Sequence, residues 1–436
     1  MLDEIIYGVI PRNVGPRGLQ SVTEKLADWQ DLGVTALWIS PINATPPGNF
    51  GYAVTDYFRL RDDIGTEDDF RDLVQAAHAR GIRVLMDFVP NHTSAEHPYF
   101  QDAQARGTGS PHYDLYDRDA HGEPTHYFSW THLPNLNFDN DAVERWITDA
   151  FCHWVREFDV DGYRVDVAWG IRQRKPDFWP RLSRALKDIK PDVMLLAEAS
   201  ARDAYYFSHG FDAAYDWTDE LGHAAWEHVF EDESQIVPRM HAALTNDERG
   251  YSEDAVILRF LNNNDTAARF VTRYGVDLTR VATALLLTLP GVPCIYVGDE
   301  VGAEFEPYRD AGPISWEDRH GLLPYHRRLI GLRKSVPSLR GPGWHPLNVE
   351  GPGQLYGYVR SVEDGRDPVL VLLNFSGERT AAQVLLPPEL AALAEERSLT
   401  DLLTNERPAV TIADEVIGIR LEPWSARILA PRVADS

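Results

Sequence analysis

At 436 residues and 44% apolar content the chain can bury a large core, and its length suits two or three domains. A formal net charge of −25 argues against nucleic acid or an anionic membrane surface as a partner, because both demand a basic footprint, and it suits a neutral substrate. No run of about eighteen apolar residues occurs, and the acidic start Met1-Leu2-Asp3-Glu4 carries no signal-peptide pattern, so a cytoplasmic chain without a membrane span is expected. Cys152 and Cys294 lie far apart in apolar surroundings and read as small buried residues rather than as a disulfide or metal pair. The sequence is silent on oligomeric state.

Strand-like and helix-like segments alternate from the start. Ile5 to Ile10 is a short apolar run with β-branched residues, and Ser21 to Leu32 is patterned as a helix with Glu24 three residues after a Ser21 cap. Thr35 to Ser40 predicts the second strand, Glu67 to Arg80 a helix and Arg83 to Asp87 the third strand. From Asn91 to Asn140 the rhythm breaks into sequence rich in His, Tyr, Asp, Gly and Pro, with no clear long helix; it is too long for a plain loop and reads as a small inserted domain. Alternation resumes with helix Ala142 to Glu157, strand Gly162 to Asp166, helix Asp177 to Ile189 and strand Val193 to Glu198. A weak sixth strand near Phe211 to Tyr215 precedes helical sequence to about Asn246. Strand Ala255 to Leu261, helix Leu278 to Leu289, strand Pro293 to Val297 and helix Leu322 to Lys334 follow.

Eight strands alternating with helices predict an α/β fold, a (β/α)8 TIM barrel over residues 1–90 and 141–342, with a small insertion at 91–140 after strand three. After Pro337 the texture changes. Short strands at Leu355 to Val359, Val369 to Phe375, Thr380 to Leu385, Val416 to Leu421 and Ala426 to Leu429, punctuated by Gly and Pro, predict a C-terminal antiparallel β domain, a sandwich, over 343–436.

In such a barrel, active residues gather at the C-terminal ends of the strands. Those ends supply Asp87 and His92 after strand three, Arg164 and Asp166 at strand four, Glu198 at strand five and Asp265 after strand seven. Residues i and i+2 of a strand point to the same side, so Arg164 sits beside Asp166 and favours its ionised form; taken alone, an ordinary Arg–Asp pair reads equally well. Glu198 ends the apolar run Val193-Met194-Leu195-Leu196-Ala197, where partial burial keeps a carboxyl protonated. Two carboxyl groups in opposite protonation states are what glycosidic bond cleavage requires.

At these strand ends the chain resembles the α-amylase family of glycoside hydrolases, family thirteen. The family motifs stand as Asp87-Phe88-Val89-Pro90-Asn91-His92, Gly162-Tyr163-Arg164-Val165-Asp166, Leu196-Ala197-Glu198-Ala199 and Phe260-Leu261-Asn262-Asn263-Asn264-Asp265, with Leu133-Pro134-Asn135-Leu136-Asn137 and Gly298-Asp299-Glu300 as further matches. The resemblance implies that Asp166 is the nucleophile, Glu198 the acid and base, and Asp265 the carboxylate that holds sugar hydroxyls. It makes Arg164 the partner of Asp166, His92 a hydrogen-bond partner of the sugar, and Tyr52 its stacking platform, and it leaves Asp87 and Asp56 as structural partners. Asn264 stands where the family usually has histidine. Trp169 and Gly170 replace a Lys-His pair of many starch-degrading members, so Trp169 offers either a stacking face or plain packing. Asn49 replaces an aspartate usual in members that trim single glucose units.

Asn91 matches a position that binds calcium in many members; no cofactor is expected to be required, with calcium open. The expected activity is that of a retaining α-glucan hydrolase cleaving α-1,4 bonds in maltooligosaccharides or starch, with transglycosylation as a further capacity. The alternatives are a same-family transglycosidase or isomerase, an oligosaccharide α-glucosidase and, more remotely, a catalytically silent sugar-binding relative, a class that usually lacks one of the three carboxylates.

Overall fold

The computed structural model describes residues 2–217, 228–310, 312–362, 365–387, 399–413 and 415–431. Eight strands close into a parallel barrel: β1 (Ile6–Val9), β2 (Ala36–Ile39), β3 (Arg83–Phe88), β4 (Gly162–Val165), β5 (Met194–Ser200), β6 (Ala213–Tyr215), β7 (Ile257–Phe260) and β8 (Val292–Tyr296). The order around the ring is β1-β8-β7-β6-β5-β4-β3-β2, each strand beside its sequence neighbour. Buried on both faces, the strands read as short continuous apolar runs rather than alternations. Gly162 opens β4 at φ +156, and a Cβ there would lie 2.1 Å from Met194 O, so only glycine allows β4 and β5 to pair at this point.

The helices form the outer layer. They include α1 (Leu19–Leu32), α2 (Glu67–His78), α3 (Asp141–Phe158), α4 (Ala168–Arg174), α5 (Phe178–Lys187), α6 (Ile236–Thr245), α7 (Phe270–Thr288) and α8 (Leu322–Ser335). Helix α1 begins two residues before the expected Ser21 cap. Gly18, at φ +53, turns the chain so that Leu19 N–H donates to Ile64 O at 2.8 Å, and Ser21 Oγ instead accepts from Arg17 N–H. The capping box belongs to α2, where Thr66 Oγ1 accepts from Asp69 N–H and Asp69 Oδ2 accepts from Thr66 N–H. Helix α7 starts eight residues earlier than expected, crossing a non-helical Gly275. Of the helical sequence expected between Tyr215 and Asn246, residues 218–227 lie outside the described residues, and α6 follows them.

The segment between β3 and α3 holds one short α-helix, Pro98–Arg106, started by Pro98 and by His97 Nδ1 accepting from Tyr99 N–H, and two 3-10 turns after it. Bridge His92–Asn135 brings its two ends together over the mouth of the barrel, and bridge Tyr116–Leu136 ties its middle to the second end. Beyond α8, eight antiparallel strands form one sheet: β9 (Gly343–Glu350), β10 (Leu355–Ser361), β11 (Val369–Asn374), β12 (Thr380–Leu385), β13 (Leu399–Asp401), β14 (Val410–Ala413), β15 (Val416–Leu421) and β16 (Ser425–Pro431). Strands β9, β13 and β14 were not legible in the sequence pattern, being half-exposed or very short. Period-two alternation divides the sheet: Val369, Val371 and Leu373 join the barrel core, while Leu370 and Leu372 join a second core with Val384 and Ile417. Among the described residues no helix is long and apolar enough to cross a membrane, and both cysteines are buried and free.

Candidate active site

Arg164 lies near the end of strand β4 and Asp166 just past it; their spacing puts them on one side, and Asp166 lines the cavity at the mouth of the barrel. Arg164 is fully buried and is shared. Its Nη1 donates to Asp166 Oδ1 at 2.7 Å and to Asp87 Oδ1 at 2.8 Å, its Nη2 lies 2.9 Å from Glu198 Oε1, and its Nε donates to Tyr215 Oη at 3.0 Å. One guanidinium is therefore shared by three buried carboxyl groups. Burial pushes Asp87 up to about 6 and Asp166 up to about 7, with Arg164 opposing both shifts. This corrects the expectation that Arg164 alone holds Asp166 ionised: the cation is divided, and desolvation outweighs it.

Glu198, on β5, is pushed up to about 7, chiefly by burial, against the pull of Arg164 and with the charge and hydrogen bond of Asp166 adding to the rise. The charge of Asp166 thus favours the protonated form of Glu198, as one carboxylate beside another does. Glu198 Oε2 also accepts from Val167 N–H at 2.6 Å. Val167 is β-branched yet adopts φ +49, ψ +40, a conformation that costs energy for such a side chain. That turn aims its N–H at Glu198 and starts α4, so backbone strain falls between the two carboxylates.

Asp265 follows β7 and faces the cleft. Burial by the cleft walls and the charge of Glu198 raise it to about 6, although solvent in the open cleft screens that shift. Beside it Asn264 is buried and donates through Nδ2 to Tyr308 Oη at 2.8 Å, while its Oδ1 has no hydrogen-bond partner among the described residues. Tyr308 Oη in turn donates to Asp265 Oδ1 at 3.3 Å. Tyr308 was missed in the sequence, since it lies in an irregular loop with no motif around it.

Tyr52 Oη donates to Asp87 Oδ2 at 3.0 Å, and Trp38 Nε1 donates to the same oxygen at 3.1 Å, so Asp87 fixes both Arg164 and the Tyr52 ring. Asp56 Oδ1 accepts from Phe58 N–H, a local structural bond. His92 lines the cavity, stacked on Tyr127 at 5.1 Å. Its Nε2–H donates to Tyr52 O at 3.0 Å and its Nδ1 accepts from Asn91 Nδ2 at 3.2 Å. Burial lowers it to about 3, so the ring is neutral. Both nitrogens are thus engaged by protein, and the expected hydrogen bond from His92 to a sugar requires exchanging one of these partners. Trp169 packs on Phe128 and Tyr127 at 5.9 and 6.1 Å, joining α4 to an aromatic cluster of the inserted segment. The cavity enclosed by Tyr52, His92, Tyr127, Asp166, Glu198, Asp265 and their neighbours is about 220 Å³.

Asn91 departs from the expectation of a calcium ligand. Its Oδ1 accepts from Arg174 Nη2, whose guanidinium also donates through Nη1 to Leu136 O at 2.6 Å and through Nε to Gly170 O at 3.1 Å. A calcium site needs six to eight oxygens free to face the ion, and here a fixed cation already occupies these. Gly170 suits the arrangement, since a Cβ there would stand 2.7 Å from Asn91 Oδ1. Among the described residues no group of three or more His, Cys, Asp or Glu is placed to hold a metal ion.

The family model for the α-amylase catalytic domain matches residues 12–319. The α-amylase MalA of Haloarcula japonica is 31% identical over 390 residues, 87% of this chain and 56% of that protein, so the chain spans little more than half of that relative. A cyclomaltodextrinase of Geobacillus thermopakistaniensis is 31% identical over 424 residues, 93% of this chain and 69% of its own. Among solved structures, an Anoxybacillus α-amylase superposes with a TM-score of 0.82 at 25% identity, covering 99% of both chains. With the motifs in order at the strand ends and the family model spanning the barrel, the chain belongs to the α-amylase family.

Proposed function

We propose that this chain is a retaining α-glucan hydrolase that cleaves α-1,4-glucosidic bonds in maltooligosaccharides or starch by double displacement. The observation that carries the reading is the Arg164 cluster, which holds Asp166 and Glu198 in one cavity. With the proton on Glu198, the Asp166 carboxylate attacks the anomeric carbon of a sugar seated on Tyr52, while Glu198 protonates the departing glycosidic oxygen. A water deprotonated by Glu198 then attacks the glycosyl ester, releasing Asp166 and restoring the proton to Glu198. Asp265, open to the cleft, accepts hydrogen bonds from the sugar hydroxyls, with Asn264 behind it holding Tyr308. No step calls for a metal, and we propose that calcium is not required. Proton NMR during maltoheptaose cleavage tests the reading: the α-anomer of the new reducing end appears first. An initial β-anomer overturns the retaining mechanism, and turnover by Asp166→Asn overturns the assignment of the nucleophile.

A second reading, transfer to a sugar acceptor, has its own support. Phe128 and Trp130 are 60% and 49% exposed beside the cleft and offer stacking faces to an incoming sugar. Products longer than the substrate at high maltotriose concentration are its signature.

A further inference from the structure

The two sides of the cleft are built differently. Counting around the ring, β1 stands diametrically opposite β5, which carries Glu198. The loops on that far side meet in a chain of contacts. Arg12, in the turn after β1, lies 4.2 Å over the Phe50 ring; Phe50, in the loop after β2, meets Tyr308 edge to face at 4.9 Å; and Tyr308, in the loop after β8, meets Tyr52 at 6.3 Å. Tyr308 Oη is held from below by Asn264 and Asp265. The Phe50 loop is pinned as well. Asn49 Oδ1 accepts from Gly51 N–H, and Asn49 O accepts from Arg61 Nη2 at 2.6 Å, with Arg61 buried and ion-paired to Asp63. These contacts make a supported wall rather than a loose flap.

The direction of the chemistry says what this wall faces. The glycosidic oxygen is protonated by Glu198, so the leaving sugar extends on the β5 side, past Trp169, Phe128 and Trp130. The rest of the chain on the attacked sugar extends the opposite way, into Tyr308 and Phe50. The cavity of about 220 Å³ is below the roughly 300 Å³ at which pockets for larger ligands begin. A volume of that size suits a single sugar ring at the reacting position.

We propose that this wall makes the enzyme act from chain ends: the cavity takes the non-reducing terminal glucosyl unit of an α-glucan, with Tyr308 and Phe50 closing the far side. The inference rests on the hydrolase reading and deepens it. It also answers the absence of the aspartate at Asn49, because an aromatic contact closes the glycone side here.

The test compares maltoheptaose with maltoheptaose blocked by a 4,6-O-benzylidene group on its non-reducing end. The wild type releases glucose first from the open substrate and cleaves the blocked one with kcat/KM lower by roughly a hundredfold, the scale of a substituent that a closed pocket rejects. In Phe50→Ala and Tyr308→Ala the ratio of blocked to open rates rises by about tenfold, whatever happens to the absolute rates. Blocked and open chains cleaved at equal rates by the wild type, or a ratio unmoved in both variants, overturn the wall. Calorimetry with the Asp166→Asn protein keeps the question separate from turnover: the open chain binds and the blocked chain does not. If the open chain binds but is never cleaved, the hydrolase reading fails while the end-selective pocket stands; equal binding of both chains overturns the pocket.

Discussion

Both ends of the barrel bury arginine, but in opposite company. At the mouth, Arg164 is surrounded by Asp87, Asp166 and Glu198, more negative charge than one guanidinium can balance, and the carboxyl groups respond by holding protons near neutrality. At the base, Arg333 on α8 donates to Leu287 O, Leu289 O and Gly291 O at 3.1, 2.8 and 2.5 Å. Nearby, Arg360 on β10 donates to Gly343 O at 2.8 Å and to Thr288 O and Gly341 O. Burial lowers these two to about 9 and about 10, so both stay charged at neutral pH with only carbonyls as partners. The carbonyl cage cannot titrate, and it fixes loops and sheet together; the carboxylate cage can, and it stores the proton that the chemistry needs. Charge buried for structure is compensated by fixed dipoles, whereas charge buried for catalysis is left partly uncompensated.

The largest effect comes from removing the nucleophile. Asp166→Asn lowers kcat on maltooligosaccharides by about ten-thousandfold or more while circular dichroism and sugar binding stay intact. Activity within tenfold of the wild type removes the mouth from the comparison altogether. At the base, Arg360→Met strips several buried carbonyls of their donor and costs on the order of 3 kcal/mol in chemical denaturation, with kcat per folded molecule unchanged. A fall in kcat without a fall in stability reverses the roles assigned to the two ends.

Glu198→Gln separates them by pH. A carboxyl raised from 4.5 to about 7 contributes stability that is complete below about 4.5 and is lost as pH rises through about 7. The folded wild type thus carries a penalty at pH 8 that the amide removes. The variant is inactive yet more stable than the wild type at pH 8, on the order of 2 kcal/mol, with the advantage gone at pH 4. A stability difference independent of pH shows that Glu198 is not strained by its surroundings.

The smallest effect concerns Arg174, a half-buried arginine that uses the carbonyl device of the base to pin the inserted segment near the mouth. Wild-type Tm is unmoved by chelators. Arg174→Ala lowers Tm by several degrees and opens 91–140 to proteolysis, since orphaned buried oxygens cost about 1 to 3 kcal/mol each. A wild-type Tm that falls on chelation and returns with calcium alone sinks the idea that arginine holds this junction.

The (β/α)8 fold and three candidate carboxylates were legible because their signals are local. Strand and helix periods need only a short window, and Arg164 and Asp166 share a side because they sit two apart on a strand. Helix starts were less legible: Ser21 followed by Glu24 mimics a cap, but the contact of Leu19 with Ile64 from the next unit decided where α1 begins. The sequence by itself determined which carboxyl groups reach the mouth. Tertiary structure alone decided how they behave there, because the state of Asp166 depends on Asp87 and Glu198 sharing its arginine, and the Arg164–Asp87 contact spans 77 residues that no window covers. The same holds for Tyr308, which meets Asp265 across 43 residues, and for Arg174, which meets Asn91 across 83. Charge balance and closure are sums over loops from every side of the barrel, and a sum of that kind exists only once the ring has closed.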